Sequence, residues 1–471
     1  MPDEVPLHIA VASRAVAPQH GFGGLERAVA HHLRALARRG VRLSVFTQPP
    51  DPAHPAPATF DGMVTWHATP YRRRALPLRP NSILDRLLHY APFARALSTA
   101  IVALCRRERV DVVHAHGLAG LGYAEWASGL VGQWASEGES SVVSRTLKGI
   151  NQSSERAEEA EEASNPTEPL RTTDHRLRNS RPSLTTLLPP LVLNPHGLEE
   201  FSRRDRAKWL AYAPFRYGVR RVARAAARVV ATDRALIAPI ARQLVVPEER
   251  IALLPNGVDL GEIDALVDAD LAREMGARLR LEGSPLTLIS VARLERNKGL
   301  REGIAALALL RHVLPKGWRW LIVGRGSEEA ALRASIAREG FGANISLVGA
   351  LSDAEVQSLL ARADLALVPS LYEGSSLAAL EALARCLPVV ATTVGGLPDK
   401  ILPGQTGFLA PPGDPAALAN AIKAALEARA AWPTLGAAGR DLVERQFSWD
   451  ALADDYLTLY RHLAGGATSQ R

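Results

Sequence analysis

The stretch Ser370-Leu371-Tyr372-Glu373-Gly374-Ser375-Ser376-Leu377-Ala378-Ala379-Leu380-Glu381-Ala382 follows directly on the aliphatic run Leu365–Pro369. An aliphatic run of that length reads as a buried strand, and Gly374-Ser375-Ser376 opens a helix after it. Serine hydroxyls and free backbone N–H groups at such a helix start suit an anion, above all a phosphate. Glu381 lies one helical turn past Leu377, and its side chain leans back toward the helix N-terminus. A carboxylate there is placed to accept hydrogen bonds from ribose hydroxyls, and Glu373 stands just ahead of the helix.

The same alternation continues to either side. Leu286–Val291, Trp320–Val323, Ile345–Val348 and Pro388–Ala391 read as strands, with helices over Gly299–Leu310 and Glu328–Glu339. Near the N-terminus, Leu7–Ala12 and Val41–Phe46 are strand-like and flank a helix over Leu25–Arg39 that Gly40 ends. Val110–His114, Leu187–Leu193, Val229–Thr232 and Ile251–Leu254 complete a first set of strands. Strands interleaved with helices imply βαβ units and parallel sheets, whose ligands sit at the carboxyl ends of the strands.

The chain has 471 residues, a hydrophobic fraction of 47% and few aromatics at 5%, which fits two α/β domains. Two cysteines, Cys105 and Cys386, argue against a disulfide framework or a structural zinc. No basic start leads into a long apolar segment, and no run reaches about 18 apolar residues. A cytoplasmic location is the expectation.

The net charge of +7 is uneven: residues 1–230 hold 31 Lys+Arg against 21 Asp+Glu, and the remainder 25 against 28. Arg72-Arg73-Arg74, Arg203-Arg204-Asp205-Arg206 and the helically spaced Arg216, Arg220, Arg221, Arg224 and Arg228 carry much of the excess. Two readings stand. One is a solvated arginine-rich face; the other is attraction to an anionic acceptor or membrane surface. Nucleic acid is disfavoured, because aromatic residues do not interleave with the basic ones. Residues 136–186, with an almost purely Glu, Ala and Ser stretch at Glu155–Ser164, read as a polar, disordered insertion.

The glutamate segment, with Pro388-Val389-Val390-Ala391-Thr392 and Gly395-Gly396 behind it, resembles the Glu–seven residues–Glu motif of glycosyltransferase family 4. Val291-Ala292-Arg293-Leu294-Glu295-Arg296-Asn297-Lys298-Gly299 is similar to that family's Arg–four residues–Lys-Gly segment. Gly21-Phe22-Gly23-Gly24-Leu25-Glu26-Arg27 resembles its glycine loop, and Asp111-Val112-Val113-His114-Ala115-His116-Gly117 its strand ending in His-x-His. The resemblance covers nearly the whole chain outside 136–186.

It implies a GT-B fold, an α/β arrangement of two Rossmann-like domains whose parallel sheets face a central cleft. The first, acceptor domain spans 1–260, a linker 261–283 and the donor domain 284–446; a last helix over 447–471 returns to the first domain. It implies a retaining glycosyltransferase using a nucleotide-diphosphate sugar (UDP-, GDP- or ADP-linked) and a sugar, lipid-linked or small-molecule acceptor, in polysaccharide or glycolipid synthesis. Peripheral membrane contact through the basic domain goes with a lipid-linked acceptor. Arg293 and Lys298 would hold the leaving diphosphate, and Glu373 with His116 the sugar. Gly374, Ser375, Ser376, Leu377 and Glu381 would bind the donor, with Gly324 of Gly324-Arg325-Gly326 in the pocket wall. Gly23 and Gly24 would meet a phosphate or sugar oxygen, and His196 of Asn194-Pro195-His196-Gly197-Leu198-Glu199 the acceptor. His114 is read as structural.

No cofactor or metal is expected. His114 and His116 lack a third ligand placed by sequence, and Asp268-Ala269-Asp270 falls in a linker helix away from any strand tip. Leu387 stands in place of the glycine expected before Pro-Val-Val, and Asp399 in place of a glutamate. These departures keep a non-catalytic nucleotide-sugar-binding protein in play. A nucleotide-sugar epimerase is the other alternative.

Overall fold

A computed structural model describes residues 6–17, 19–20, 24–51, 62–71, 83–128, 188–201 and 206–468. The insertion expected at 136–186, the glycines Gly21 and Gly23, Arg72-Arg73-Arg74 and Arg203-Arg204-Asp205 lie outside the described residues.

The first sheet is built from β1 (His8–Ala12), β2 (Arg42–Thr47), β3 (Val64–Ala68), β4 (Val112–His116), β5 (Leu191–Asn194), β6 (Arg228–Ala231) and β7 (Ile251–Leu253). All pairings are parallel, in the order β3-β2-β1-β4-β5-β6-β7. Side chains of a strand alternate between faces, so each strand feeds two cores. Ala10, Ala12, Val113 and Ala115 face α2 (Ile83–Arg107), α3 (Leu121–Ala127) and α5 (Ala213–Ala225), which follows the short α4 (Arg206–Ala211). Ile9, Val11 and Val112 face α1 (Gly24–Arg38) on the other side. Within α1, Ala28, Val29, Leu33 and Leu36 form the buried stripe, and Gly40 ends the helix at φ 76°.

The second sheet holds β8 (Thr287–Val291), β9 (Arg319–Val323), β10 (Ile345–Gly349), β11 (Leu365–Val368), β12 (Val389–Thr392) and β13 (Gly407–Ala410). It is also parallel, in the order β10-β9-β8-β11-β12-β13. Its helices are α8 (Leu300–Leu309), α9 (Glu329–Arg338), α10 (Asp353–Leu360), α11 (Leu377–Ala384), α12 (Pro415–Glu427) and α13 (Trp432–Leu442); α6 (Leu260–Ala265) and α7 (Ala269–Arg278) precede it. Burying one Leu, Ile or Val is worth about 1.5–3 kcal/mol, and both faces of both sheets are covered, which is how parallel sheets hold together.

The last helix, α14 (Trp449–Thr468), crosses back to the first domain. Trp449, Leu452, Tyr456 and Tyr460 join Ile9, Val11 and Leu33 in one core. Where it leaves the second domain, Val258 and Phe447 pair through their backbones, Val258 N to Phe447 O at 2.9 Å, and Trp449 N bonds Val258 O at 3.0 Å. Pro255-Asn256-Gly257 is therefore beside the double crossing between domains.

Several boundaries differ from the sequence reading. The strand expected at Val110–His114 runs Val112–His116, which puts His116 inside it as its last residue. The strand expected at Leu187–Leu193 is Leu191–Asn194. β3, α2 and β13 carried no expectation. α2 is, by length and composition, apolar enough to cross a membrane, but Phe93, Ala94, Leu97 and Ile101 are buried against the first sheet. The arginine run is not one helical face: Arg224 is exposed, and Arg228 opens β6 rather than continuing α5. Arg216 is buried and donates to Glu200 O, Arg220 donates to Gln243 O, and Arg221 stands 3.9 Å from Glu125.

Candidate active site

In the first sheet the strand order reverses between β1 and β4; in the second it reverses between β8 and β11. The crevice at such a reversal, beyond the carboxyl ends of the strands, is where open α/β sheets bind ligands. Here the two crevices open onto one cavity of about 730 Å3. Ser13 and Arg14 past β1, His116 and Gly117 at β4, Ala292 and Arg293 past β8, and Ser370 and Glu373 past β11 all line it. A second cavity of about 470 Å3 adjoins it, lined by Gly324, Arg325, Ala350 and Leu351 from the next two strand ends.

Gly374, Ser375, Ser376 and Leu377 all line the larger cavity at the start of α11. Ser376 is the N-cap, yet its hydroxyl makes no capping bond, and the buried Ser375 Oγ has no partner. The first turn of α11 thus offers uncapped N–H groups and an unused hydroxyl, the features that bind an anion.

Lys298 and Glu373 meet at the same place. Lys298 Nζ lies 2.9 and 2.8 Å from the two Glu373 carboxylate oxygens, and Ser370 Oγ donates to one of them at 3.1 Å. Both side chains are mostly buried, 17% and 12% exposed. The approach depends on Gly299, at φ 64°, where a Cβ would fall 1.8 Å from Pro369 O. Only glycine tolerates that contact and that φ. Asn297 O accepts from Leu371 N at 2.7 Å, so the Arg–Lys loop is fastened to the loop that carries Glu373. Arg293 differs: its side chain is 72% exposed and pairs with Glu295 Oε1 at 2.8 Å. It lines both cavities.

Gly324 lies in the wall of the smaller cavity. At φ 136°, with Ala292 O at 1.9 Å from any Cβ placed there, it lets β8 and β9 end side by side. Glu381 also lines both cavities, and burial pushes its carboxyl up to about 7, with Arg27 pulling it down and Asp353 pushing it up.

On the first domain, His116 Nδ1 and His196 Nε2 share a hydrogen bond of 2.6 Å, and both residues line the larger cavity. His196 adopts φ 58°, a conformation rare outside glycine, while its N–H donates to Asn194 Oδ1. Burial holds His116 down at about 3, so its ring is neutral and its buried Nε2 is without a partner. His114 turns away and pairs with the Tyr460 hydroxyl at 2.6 Å. Gly24 opens α1, whose next residues Glu26 and Arg27 line the cavity; Gly23 is outside the described residues.

Sequence alone places no third ligand beside His114 and His116; the fold brings one close. His32 of α1 brings a ligand atom within 4.8 Å of theirs, all three buried. The rings of His114 and His116 stack, 4.6 Å apart and 24° from parallel. His114 Nε2 and His116 Nε2 are both buried without a hydrogen-bond partner. Asp268 caps α7, accepting from Asp270 N and Leu271 N.

The two departures also resolve. The left-handed backbone that would suit glycine is at Cys386, φ 57°, one residue before the expected position; Leu387 is simply buried. Asp399 accepts from Arg234 N at 2.8 Å, a contact between domains. Sequence reading gave no role to Arg14, Arg86 and Tyr90 on the first-domain side of the cavity, nor to Arg27 and Asp353 across the cleft.

Two parallel-sheet domains with their switch points facing each other across one cleft define the GT-B class. Residues 273–441 match the family model described as glycosyl transferases group 1, and residues 22–133 and 178–262 match that described as Glycosyltransferase Family 4. The chain belongs to the family 4 glycosyltransferases.

Among curated relatives, it is 36% identical over 205 residues to a glycogen synthase of Mycobacterium tuberculosis, 43% of this chain and 49% of that one. The chain thus spans about half the length of that relative. It is 27% identical over 396 residues to a D-inositol 3-phosphate glycosyltransferase of Pseudarthrobacter chlorophenolicus, 82% of this chain and 78% of that one. Among solved structures, Anabaena Alr3699/HepE in complex with UDP aligns with TM-score 0.61 and 17% identity, over 97% of this chain and 100% of that one.

Proposed function

We propose that this protein transfers a glycosyl group from a nucleoside-diphosphate sugar to an acceptor held on the first domain, with retention of anomeric configuration and without a divalent metal. The observation that carries this is the placement, on one cavity, of the uncapped start of α11, the Lys298–Glu373 pair and Arg293 opposite His116 and His196.

The nucleoside enters the smaller cavity, along Gly324, Ala350 and Leu351, and its ribose hydroxyls meet Glu381. The diphosphate lies at the start of α11 between Arg293 and Lys298. The sugar then faces Glu373 and the neutral ring of His116. A leaving diphosphate gains negative charge as the glycosidic bond breaks, and fixed cations and N–H groups stabilise that charge where it develops.

The bond from the anomeric carbon to the phosphate oxygen breaks, and the bond to the acceptor oxygen forms on the same face. The acceptor proton passes to the departing phosphate oxygen, so no protein nucleophile is needed. Glu373, the carboxylate beside the sugar, is engaged by Lys298, which suits a positioning role. Two supporting facts come from other proteins: a relative is a glycogen synthase, and a structural neighbour holds UDP.

The acceptor side of the cavity is charged and aromatic, with Glu26 and Glu200 beside its arginines. Arg14, Arg86, Tyr90, Tyr212 and Phe215 line it, and the Arg14 guanidinium stands 5.5 Å from the Tyr71 ring centre and 5.9 Å from that of Tyr90. Mixed charges and aromatic rings suit a polar sugar acceptor, whose hydroxyls they can bond and whose ring faces they can stack on. A metal-free thermal-shift screen against UDP-, GDP- and ADP-sugars tests the donor reading. Stabilisation by one of them supports it; no response to any of them counts against it.

A further inference from the structure

Arg27 stands in the first turn of α1, on the first domain, yet its guanidinium reaches the second. Nη2 lies 2.6 Å from Asp353 Oδ1, in the first turn of α10. Helix energetics accounts for Asp353 but not for Arg27. A cation in a first turn opposes the helix dipole, whereas Asp353 at its own helix start is favoured without any partner. The pair is 30% and 43% exposed, and ion pairs so open to solvent are weak and easily exchanged.

Its position is specific. Arg27 lines both cavities, and so do Val291, Ala292, Arg293, Leu377 and Glu381. These residues form the neck between the two cavities, which a nucleoside diphosphate must span if the donor lies as argued above. Arg27 is the member of this neck that comes from the first domain. Its planar guanidinium can engage two phosphate oxygens at once, which no lysine matches.

We propose that Arg27 is a further donor-binding residue, contributed by the acceptor domain: its guanidinium leaves Asp353 and pairs with the diphosphate when the donor occupies the neck. The inference rests on the donor reading of the cleft. It makes Asp353 a competitor for Arg27, and this separates it from the alternative in which Arg27–Asp353 is a strut holding the domains together.

The test is calorimetric titration of the full chain with UDP, GDP and ADP, on wild type, Arg27→Gln and Asp353→Asn, with melting curves to show that each variant is folded. Arg27→Gln is expected to weaken the best-bound nucleotide by about 10- to 100-fold, the range for losing one charge-assisted contact. Asp353→Asn is expected to bind it as tightly as wild type or a few-fold more tightly. Equal weakening in both variants identifies a strut and overturns the proposal. Unchanged affinity in Arg27→Gln overturns it while leaving the donor reading intact. A wild type that binds none of the three overturns both.

Discussion

Lys298 Nζ and the Glu373 carboxylate form a two-armed ion pair at 2.9 and 2.8 Å on the wall of the central cavity. The sequence motifs assign these residues separate tasks, one toward the diphosphate and one toward the sugar. The structure joins them, so each fixes the other before donor arrives. On the proposed reading, removing Lys298 takes a cation from the leaving group; it also leaves a mostly buried carboxylate with only the Ser370 hydroxyl as partner. Lys298→Ala is expected to slow transfer by about tenfold to a few hundredfold, at roughly 1.5–3 kcal/mol for one charge-assisted contact. Steady-state rates measure it, and a near-normal rate would exclude Lys298 from the reaction.

Glu381 sets a pH dependence. Burial holds its carboxyl at about 7, above the ordinary 4.5. Between those values the folded protein keeps a proton that the unfolded chain has released. Stability from this group therefore falls as pH rises across that window, and the cost is complete above about pH 7. Glu381→Gln removes the cost, so its melting temperature relative to wild type is expected to be higher at pH 8 than at pH 5. Donor affinity runs the other way. The carboxylate form accepts ribose hydroxyls, so wild-type affinity is expected to rise more steeply from pH 6 to 8 than that of Glu381→Gln. Parallel pH profiles for the two proteins would contradict this role.

Cys386 carries φ 57° with an exposed side chain. A non-glycine residue in that conformation costs roughly 1–2 kcal/mol, part of which glycine returns as unfolded-chain entropy. Cys386→Gly is expected to stabilise the protein by about 1 kcal/mol, read as a shift in the denaturation midpoint. A lowered midpoint would mean that the thiol makes a contact worth more than the backbone relief.

On the proposed reading, Arg293, Lys298 and the start of α11 supply the positive charge that a diphosphate needs. Activity is accordingly expected to survive EDTA. Loss of activity on chelation, with recovery on adding Mg2+ or Mn2+, would assign that task to a metal.

The second domain was largely legible because its signals are local. Leu365–Val368, the Gly-Ser-Ser start and the helix to Ala384 are close in sequence, and the strand Arg319–Val323 lies between Gly317 and Gly324. The first domain was harder. Pro92 inside α2 reads as a breaker, and β3, Val-Thr-Trp-His-Ala, shows a burial pattern too weak to stand out. The strand at Val110 begins two residues late because Asp111 is engaged at the strand's entry, accepting from His8 N and pairing with Arg109. What no local pattern carries is contact at long range. His32 joins His114 and His116 only through packing of α1 on the sheet, and Arg27 meets Asp353 across 326 positions.

The most direct test of the central claim is release of nucleoside diphosphate from UDP-, GDP- and ADP-sugars, without metal, by wild type and Glu381→Ala. One donor is expected to be turned over by wild type, with the rate lost or sharply reduced in Glu381→Ala. No turnover of any donor, or equal turnover by both proteins, would contradict a glycosyl-transfer site built on this cleft.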